Sequence, residues 1–388
     1  MSRLEELIKE YCPDGVEYKK LWELTAWDKK FTNVEKRKQK KIIKYNYYLA
    51  ADLKKLVQEN GNIKILTTNI TDLWTTEDLV FETLSEGEVV CIPWGGNPII
   101  QYYNGKFITG DNRIATSLDI NILSNKFLYY VMQSKLDEIS TFYRGSGIKH
   151  PNMYKVLELE IPVPPIEVQR EIVRTLDNFT ELTAELTAEL TAELTARKKQ
   201  YEYYRNTLLT FNDYEVEWCT LGDITSILRG KRLIKDQLEQ RGTYPVYQNS
   251  MIPLGYFEDY NCKAGTTFVI SAGSAGEIGY SNNNFWAADD CLYFDYSDII
   301  ISKYLYHFLM NNRTYLRSQI RRSSVPRLSR KVLENMKIQI PPLNIQEKIV
   351  NILDNFEAIC SDLKIGLPAE IEARQKQYEY YRDKLLTF

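Results

Sequence analysis

Two stretches of the chain concentrate side chains that could bind phosphate groups. Residues 27–44 hold eight lysines and arginines against two acids, and residues 313–331 hold seven against none. Such side chains neutralise nucleic-acid phosphates, although the net charge of the whole chain is −3. The predicted phosphate contacts are Lys29, Lys30, Lys36, Arg37, Lys38, Lys40, Lys41, Arg144 and Lys149 in the first half, and Arg229, Lys231, Arg232, Arg321, Arg322, Arg327 and Arg330 in the second.

Uncharged side chains in the segment "VYQNS" could recognise base edges. Gln248 and Asn249 each carry an amide with both a donor and an acceptor, which suits the hydrogen-bonding edges of bases. For every one of these residues the alternative interpretation is a solvated surface side chain.

We find no arrangement of residues that predicts catalysis, a cofactor site or a metal site. The glycines of "SAGSAGEIGY" (271–280) lack the lysine of a phosphate-binding loop. The segment "GGNPII" (95–100) lacks the second proline and the aromatic residue of an adenine methyltransferase motif. Asp289 and Asp290 have no supporting nuclease strand, and the only two histidines lie far apart in sequence. We therefore predict that the chain is not an enzyme by itself.

The composition is that of a soluble, cytoplasmic protein. Of 388 residues, 44% are hydrophobic and 26% are charged, and no apolar run is long enough to span a membrane. Six scattered cysteines without a CxxC pair indicate reduced thiols.

The sequence segments that must form the elements positioning these residues occur in two copies. "IPVPPIEVQREIVRTLDNF" (161–179) matches "IQIPPLNIQEKIVNILDNF" (338–356), and "ARKKQYEYYRNTLLTF" (196–211) matches "ARQKQYEYYRDKLLTF" (373–388), both at an offset of 177. "VEYKKLWELT" (16–25) also matches "VEWCTLGDIT" (216–225). The sequence therefore predicts an internal repeat in which two divergent, β-rich blocks alternate with two long helices.

Hydrophobic residues at three- and four-residue steps predict these two helices. The first begins after Pro164-Pro165, extends over about 166–209 and contains the array "LTAELTAELTAELTA" (182–196). The second should break or kink at "GLP" (366–368). Each apolar stripe must be buried, so we expect the helices to pair antiparallel and to separate the two blocks, with stripe residues Leu182, Leu186, Leu190 and Leu194 in the first and Leu353, Phe356 and Leu363 in the second.

Taken together, these motifs resemble the specificity (S) subunit of Type I restriction–modification systems. The resemblance covers essentially the whole chain and depends on the duplicated "LDNF" and "KQYEYYR" segments, the "VEYKKLWELT" and "VEWCTLGDIT" segments and the TAEL array. It implies an α+β fold with two β-rich target-recognition domains, two long antiparallel helices as a coiled-coil spacer, and a pseudo-twofold internal repeat. The implied domains are the N-terminal segment with target-recognition domain 1 (1–160), the central spacer helix (161–213), target-recognition domain 2 (214–337) and the C-terminal spacer helix (338–388).

The resemblance also implies a function and a set of partners. Each recognition domain would bind one half of a bipartite, asymmetric sequence in double-stranded DNA, and the helices would set the spacing of the half-sites. Two methyltransferase (M) subunits would methylate adenine with S-adenosylmethionine, and restriction (R) subunits would add cleavage with ATP and Mg; this chain itself would hold no cofactor.

Two other hypotheses remain open at this point. One is a fused DNA methyltransferase and nuclease, and the other is a coiled-coil scaffold that does not bind DNA. The first is opposed by the missing cofactor and catalytic motifs, and the second leaves two basic, β-rich blocks without a role.

Overall fold

The computed structural model describes residues 3–39, 41–211, 216, 218–239, 242–321, 324–361 and 366–388. The chain divides into two compact units. Unit 1 comprises Met1–Thr187 and Ala373–Phe388, and unit 2 comprises Ala188–Glu372. Predicted residues Lys40, Arg322 and Leu363 lie outside the described residues.

Unit 1 combines short helices with a six-stranded sheet. Its helices are α1 (Arg3–Tyr11), α2 (Leu21–Leu24), α3 (Ala50–Leu56), α4 (Glu77–Val80), α5 (Asn125–Ser134), α6 (Leu136–Ser140) and α7 (Met153–Leu157). Its strands are β1 (Tyr18–Lys20), β2 (Thr25–Trp27), β3 (Ile63–Leu66), β4 (Trp74–Thr75), β5 (Ser85–Pro93), β6 (Gln101–Thr109), β7 (Asn112–Ser117), β8 (Tyr143–Arg144), β9 (His150–Pro151) and β10 (Glu160–Pro162). The sheet order is β2-β7-β5-β6-β3-β4, and only the β3–β6 pair is parallel.

Helix α8 (Ile166–Leu208) continues from unit 1 into unit 2. Unit 2 then contains the helices α9 (Leu221–Ile224), α10 (Ser302–Asn311), α11 (Arg313–Ser318), α12 (Arg330–Glu334) and α13 (Leu343–Ser361). Its strands are β11 (Trp218–Thr220), β12 (Ile227–Arg229), β13 (Tyr244–Tyr247), β14 (Gly255–Phe257), β15 (Thr266–Ile270), β16 (Ile278–Ser281), β17 (Trp286–Ala287), β18 (Cys291–Phe294) and β19 (Lys337–Gln339). Helix α14 (Leu367–Leu385) leads back into unit 1.

The two divergent blocks share one antiparallel sheet topology. Unit 1 has the strand order β2-β7-β5-β6, and unit 2 has the order β12-β18-β15-β16. Each unit also pairs the short strand at its start with the strand just before its long helix, β1 with β10 and β11 with β19. The α+β fold class with two β-rich blocks and long helices, expected from the sequence, is confirmed.

The long helices begin and break where their prolines and glycine predict. Helix α8 starts at Ile166, directly after Pro164-Pro165, and its 43 residues span about 64 Å. Helix α13 ends at Ser361 and α14 begins at Leu367, so the predicted break at "GLP" coincides with the start of α14. Gly366 provides the first carbonyl of α14, which accepts from the amides of Ala369 and Glu370.

A buried glutamine anchors the first turn of α8 to the rest of unit 1. The Gln169 amide donates to the carbonyls of Ile122 and Pro164, at 2.7 Å each, and its oxygen accepts from the Ser124 amide at 2.9 Å. These bonds satisfy backbone groups that the interior would otherwise leave unpaired.

Unit 2 has the same anchor, and each of its residues lies 177 positions after the equivalent residue of unit 1. The Gln346 amide donates to the carbonyls of Ile299 and Pro341, and its oxygen accepts from the Ile301 amide, at 2.8–2.9 Å. Both glutamines are fully buried. The glutamine shared by the two "LDNF" segments is therefore a structural anchor of the repeat.

Each unit is closed by the last turns of a long helix. Leu386 lies in the unit 1 core together with Leu4 of α1. In unit 2 the equivalent Leu209 lies in the core. Among the described residues, no helix is both long and apolar enough to cross a membrane.

Candidate nucleic-acid interface

Five segments of unit 2 that are distant in sequence meet at one end of its sheet. Strands β12 and β15 end here, beside the start of β18, because Arg229 pairs with Leu292 and Ile270 pairs with Cys291. We call this the unit 2 loop cluster; its segments are 229–232, 248–250, 271–274, 287–290 and residue 321 with 324–327.

The carbonyl and carboxylate of Asp289 accept hydrogen bonds from two other segments of the cluster. Arg229 Nε donates to the Asp289 carbonyl at 2.6 Å, and Gln248 Nε2 donates to Asp289 Oδ1 at 3.3 Å. The neighbouring Asp290 carbonyl accepts from the Ser271 amide at 2.7 Å and from its hydroxyl at 2.9 Å. The acidic pair is thus held as part of a loop framework.

Arg321 and residues 324–327 pack on the "SAG" turn. The amides of Arg321 and Arg327 each donate to the other residue's carbonyl, and the Gly273 amide donates to the Pro326 carbonyl at 3.3 Å. Gly273 has a φ of +82°, and a Cβ there would lie 2.8 Å from the Asn249 carbonyl oxygen. Only glycine fits this position without strain. Asn249 and Pro326 thus both contact the same turn.

Unit 1 builds the same arrangement from different residues. The Trp94 amide donates to the Asp111 carbonyl at 2.9 Å, and the Gly96 amide donates to the Lys149 carbonyl at 3.0 Å. Arg144 lies opposite His150 in the β8–β9 hairpin. We call this the unit 1 loop cluster; its segments are 28–30, 94–97, 110–113 and 144–150.

Most main-chain bonds of the two clusters join equivalent residues, although the acceptor carbonyls of Asp111 and Asp290 lie 179 rather than 177 residues apart. Trp94, Gly96, Lys149, Arg144 and His150 become Ser271, Gly273, Pro326, Arg321 and Arg327 when 177 is added to each number. The backbone is therefore repeated while most side chains differ.

Most of the predicted cations point into solvent. The exposed side chains are Lys30, Lys36, Arg37, Lys41, Arg144 and Lys149 in unit 1, and Arg229, Lys231, Arg232, Arg321, Arg327 and Arg330 in unit 2; Asn249 is exposed as well, and Gln248 is half-buried. Arg321 and Arg327 form no ion pair with any residue in the described part of the chain. Of these exposed cations, Lys30, Arg144 and Lys149 belong to the unit 1 loop cluster, and Arg229, Lys231, Arg232, Arg321 and Arg327 belong to the unit 2 loop cluster.

Lys38 differs from the other cations of its basic run because unit 1 uses it internally. Its side chain is only 9% exposed, and its Nζ lies 2.6 Å from Glu158 Oε1 and 3.2 Å from Glu35 Oε1. Hydrogen bonds from Lys20 and Lys38 lower the pKa of the Glu158 carboxyl. A phosphate could not approach Lys38 without breaking these ion pairs, so we remove it from the predicted DNA contacts.

Three other predicted cations are partly engaged. Lys29 Nζ lies 3.6 Å from Asp111 Oδ1 and 4.1 Å from the centre of the Tyr47 ring. Arg37 and Arg330 form close ion pairs with Glu35 and Glu334, at 2.6 Å each, but remain exposed. Exposed ion pairs are weak, so these two arginines keep most of their capacity to bind phosphate.

Nothing in the sequence indicated that Arg113, Trp94 and His150 contact one another in the unit 1 loop cluster. The Arg113 guanidinium lies 4.1 Å from the Trp94 ring centre, and the His150 ring lies on Trp94 at 5.2 Å between centroids. Arg113 also donates to Asp111 Oδ1 at 3.0 Å. The signal that could have found His150 is the repeat. If the offset of 177 is extended to the variable blocks, His150 aligns with the predicted DNA contact Arg327.

The long helices pair antiparallel within each unit. In unit 1 the Phe179 ring packs on Tyr381, and Thr180 hydrogen-bonds Tyr378 at 3.0 Å. In unit 2 the Phe356 ring stacks on Tyr204 at 5.2 Å. Of the predicted stripe residues, Leu353 is fully buried, and Leu186, Leu190, Leu194 and Phe356 are half-buried. Leu182 is 53% exposed and lines a groove between α8 and α14 in unit 1, together with Phe179 and Tyr381.

A buried polar cluster joins α10 to α13 in unit 2. His307 is fully buried, with Nε2 2.7 Å from Asp354 Oδ1 and Nδ1 3.4 Å from the Tyr201 hydroxyl. Lys303 Nζ lies 3.6 Å from Asp354 and from Glu357. Burial lowers the pKa of His307 despite the two carboxylates. His307, Asp354 and Glu357 are close enough to ligate a metal, but the Lys303 ammonium already lies against both carboxylates.

Unit 1 has the equivalent cluster without a histidine. Tyr130, which corresponds to His307, donates to Asp177, and Lys126 Nζ lies 3.3 Å from the same carboxylate. The cluster is thus a repeated structural contact between the helix after the sheet and the long helix.

The cysteines form no disulfide, and burial keeps two of them protonated. All six are free thiols. Burial raises the pKa of Cys91 and of Cys262 to about 12, which keeps both protonated at neutral pH.

Comparisons with known proteins agree with this repeated architecture. The family model described as Type I restriction modification DNA specificity domain matches residues 16–196 and again residues 214–373. A Haemophilus influenzae protein described as a type I restriction enzyme specificity subunit is 32% identical over 360 residues, which cover 87% of this chain and 91% of the relative. The EcoR124I/EcoR124II specificity subunit of Escherichia coli is 34% identical over 311 residues, covering 71% of this chain and 74% of the relative.

Solved structures share the fold. The crystal structure of the Type-I restriction-modification system S subunit from M. genitalium superposes with a TM-score of 0.57 at 19% identity and covers 97% of both chains. A chain from a study of complex assembly in the type I R-M system gives 0.59 at 16% identity, covering 78% of this chain and 83% of that one. Since the family model covers most of the chain in two copies, this chain belongs to the Type I restriction–modification DNA specificity family.

Proposed function

We propose that this specificity subunit binds a bipartite, asymmetric sequence in double-stranded DNA, with each loop cluster recognising one half-site. The observation that carries the proposal is the pair of loop clusters, in which the same main-chain bonds hold different side chains. Exposed cations around each cluster would bind phosphates, and the variable side chains would contact bases. Different side chains on equivalent backbones imply different half-sites.

The proposed domains follow the repeat. Residues 1–160 and 214–337 would be target-recognition domains 1 and 2, and residues 161–213 and 338–388 would form the spacer. Leu182, Leu186, Leu190, Leu194, Leu353 and Phe356 would be its apolar contacts. The proposed DNA contacts are the exposed cations named above together with Gln248 and Asn249.

The partners of the complex would supply the chemistry. Two M subunits would methylate adenine with S-adenosylmethionine, and R subunits would cleave DNA with ATP and Mg, so the cytoplasmic complex is the active species. Near-identical "KQYEYYR" segments in the two helices would give equivalent docking positions for two M subunits.

Selection from a random duplex pool by the assembled S–M complex tests the proposal. We expect the bound duplexes to share two short conserved elements at a fixed separation. Replacing residues 26–160 with the corresponding block of another family member should change one element only.

This selection, together with a methyl-transfer assay on the isolated chain, distinguishes the other two hypotheses. Bound duplexes without any shared sequence would refute the proposal and favour a scaffold that does not recognise DNA. Methyl transfer by the isolated chain would favour a fused enzyme.

A further inference from the structure

His150 occupies the position in the unit 1 loop cluster where unit 2 has an exposed arginine. The residues Tyr143 and Pro151 of the β8–β9 hairpin are buried, whereas Arg144 and His150 are exposed. Directly opposed residues of an antiparallel pair share a face. His150 therefore lies on the same face of the hairpin as Arg144, one of the predicted DNA contacts.

The surroundings of His150 fix both its ring and its tautomer. Its Nδ1 lies 2.7 Å from the Trp94 carbonyl oxygen, which can only accept a hydrogen bond. The proton of the neutral imidazole is therefore on Nδ1, and Nε2 is left as an acceptor. The ring is tilted against Trp94, which also contacts the Arg113 guanidinium. An exposed side chain is thus held in one orientation, and its Nε2 has no hydrogen-bond donor among the residues that the structure describes.

We propose that His150 determines specificity at one base pair of the half-site bound by unit 1, where its Nε2 accepts a hydrogen bond from an exocyclic amino group. Adenine N6 and cytosine N4 are the donors of this kind in the major groove. The equivalent Arg327 would instead donate, which suits guanine O6 and N7. This inference rests on the function proposed above and assigns one residue within it.

Two variants separate recognition by Nε2 from support of the loop. Asparagine in His150→Asn places an amide N–H near the position of Nδ1, so the bond to the Trp94 carbonyl can be kept while Nε2 is removed. His150→Ala removes both groups. His150→Arg copies the residue at the equivalent position of unit 2.

The measurement is selection of bound duplexes from a random pool by the S–M complex carrying each variant. We expect His150→Asn and His150→Ala to lose the preference at one base pair of one half-site by about tenfold or more, as for one good base contact. His150→Arg should shift that base pair towards guanine. As a matched control, Arg327→Ala should alter only the other half-site.

Three outcomes would each overturn a distinct statement. If His150→Asn selects the same sequence as the unaltered complex, His150 does not recognise a base, even when His150→Ala weakens binding. If His150→Arg leaves the preferred base unchanged, the equivalence with Arg327 does not extend to recognition. If the unaltered complex selects no bipartite sequence, the proposed function itself fails.

Discussion

At the scale of single residues, the position of a charge in the fold decides whether it can meet DNA. Lys38 belongs to a basic run that looks uniform in the sequence, yet Glu158, distant in sequence, draws it into an ion pair. Arg321 is flanked by arginine in the sequence as well, but its own side chain is exposed. Local sequence composition cannot separate these two cases, because the partner that buries one of them comes from another element.

One residue difference between the units should make them respond differently to acid. His307 has a pKa lowered by burial from its ordinary value of 6.5, and Asp354, Glu357, Lys303 and the Tyr201 hydroxyl surround it. The unfolded chain therefore binds a proton at higher pH than the folded one. We expect the stability of unit 2 to fall as the pH decreases below about 6.5 and to level off once His307 is protonated in the folded state.

The measurement is amide hydrogen exchange in α10 of the full chain at about pH 7.5 and about pH 5.5, corrected for intrinsic exchange rates. His307→Tyr, which copies Tyr130 of unit 1, should remove the excess opening at low pH. Equal acid sensitivity of α10 in both proteins would contradict the assignment to His307.

At the scale of elements, the long helices are held by anchors that both halves repeat. Gln169 and Gln346 each bind two carbonyls and one amide, and those partners lie in the loop before α5 or α10 and in the proline turn. The direction in which each helix leaves its unit is therefore fixed by three hydrogen bonds in addition to apolar packing.

We expect Gln346→Ala to destabilise the junction of α10 and α13 by about 2 kcal/mol, because it leaves one buried and two partly buried backbone groups without their partner. Amide hydrogen exchange at residues 299–305 would measure the local free energy of opening. Gln169→Ala should have an effect of similar size at residues 122–128. The exposed neighbours Lys348→Ala and Arg170→Ala serve as controls, and a Gln346→Ala effect as small as theirs would refute the anchor.

Repeated elements could be predicted from the sequence, and the loop clusters could not. Pro164-Pro165 and "GLP" marked the start of α8 and of α14 because proline and glycine act on local backbone geometry. Trp94 joins three separate segments, because its ring contacts Arg113 and His150 and its carbonyl accepts a hydrogen bond from His150. Nothing in the local pattern of any one segment signals the other two.

At the scale of the whole molecule, one continuous helix connects the two units. Helix α8 contains the TAEL array without an interruption, and the boundary between the units falls within the array, at Thr187–Ala188. Alanine, leucine and glutamate favour the helical state strongly, so the array acts as a rigid segment of defined length.

Deleting residues 187–190, one TAEL unit, should shorten the gap between the half-sites by one or two base pairs. Four residues correspond to about 6 Å of helix and about 40° of residual rotation, against about 3.4 Å per base pair. Selection from a random duplex pool by the S–M complex would give the new gap. Thr187→Ala keeps the length of the helix and should keep the gap. Altered bases at an unchanged gap would contradict the role of the array as a spacer.

The turn at residues 94–97 and its equivalent at 271–274 are both held by main-chain amides and carbonyls. Natural selection on target choice can therefore act on side chains that folding does not require. A lineage that carries this protein can exchange such side chains with little loss of stability, so new targets should arise by ordinary point mutation.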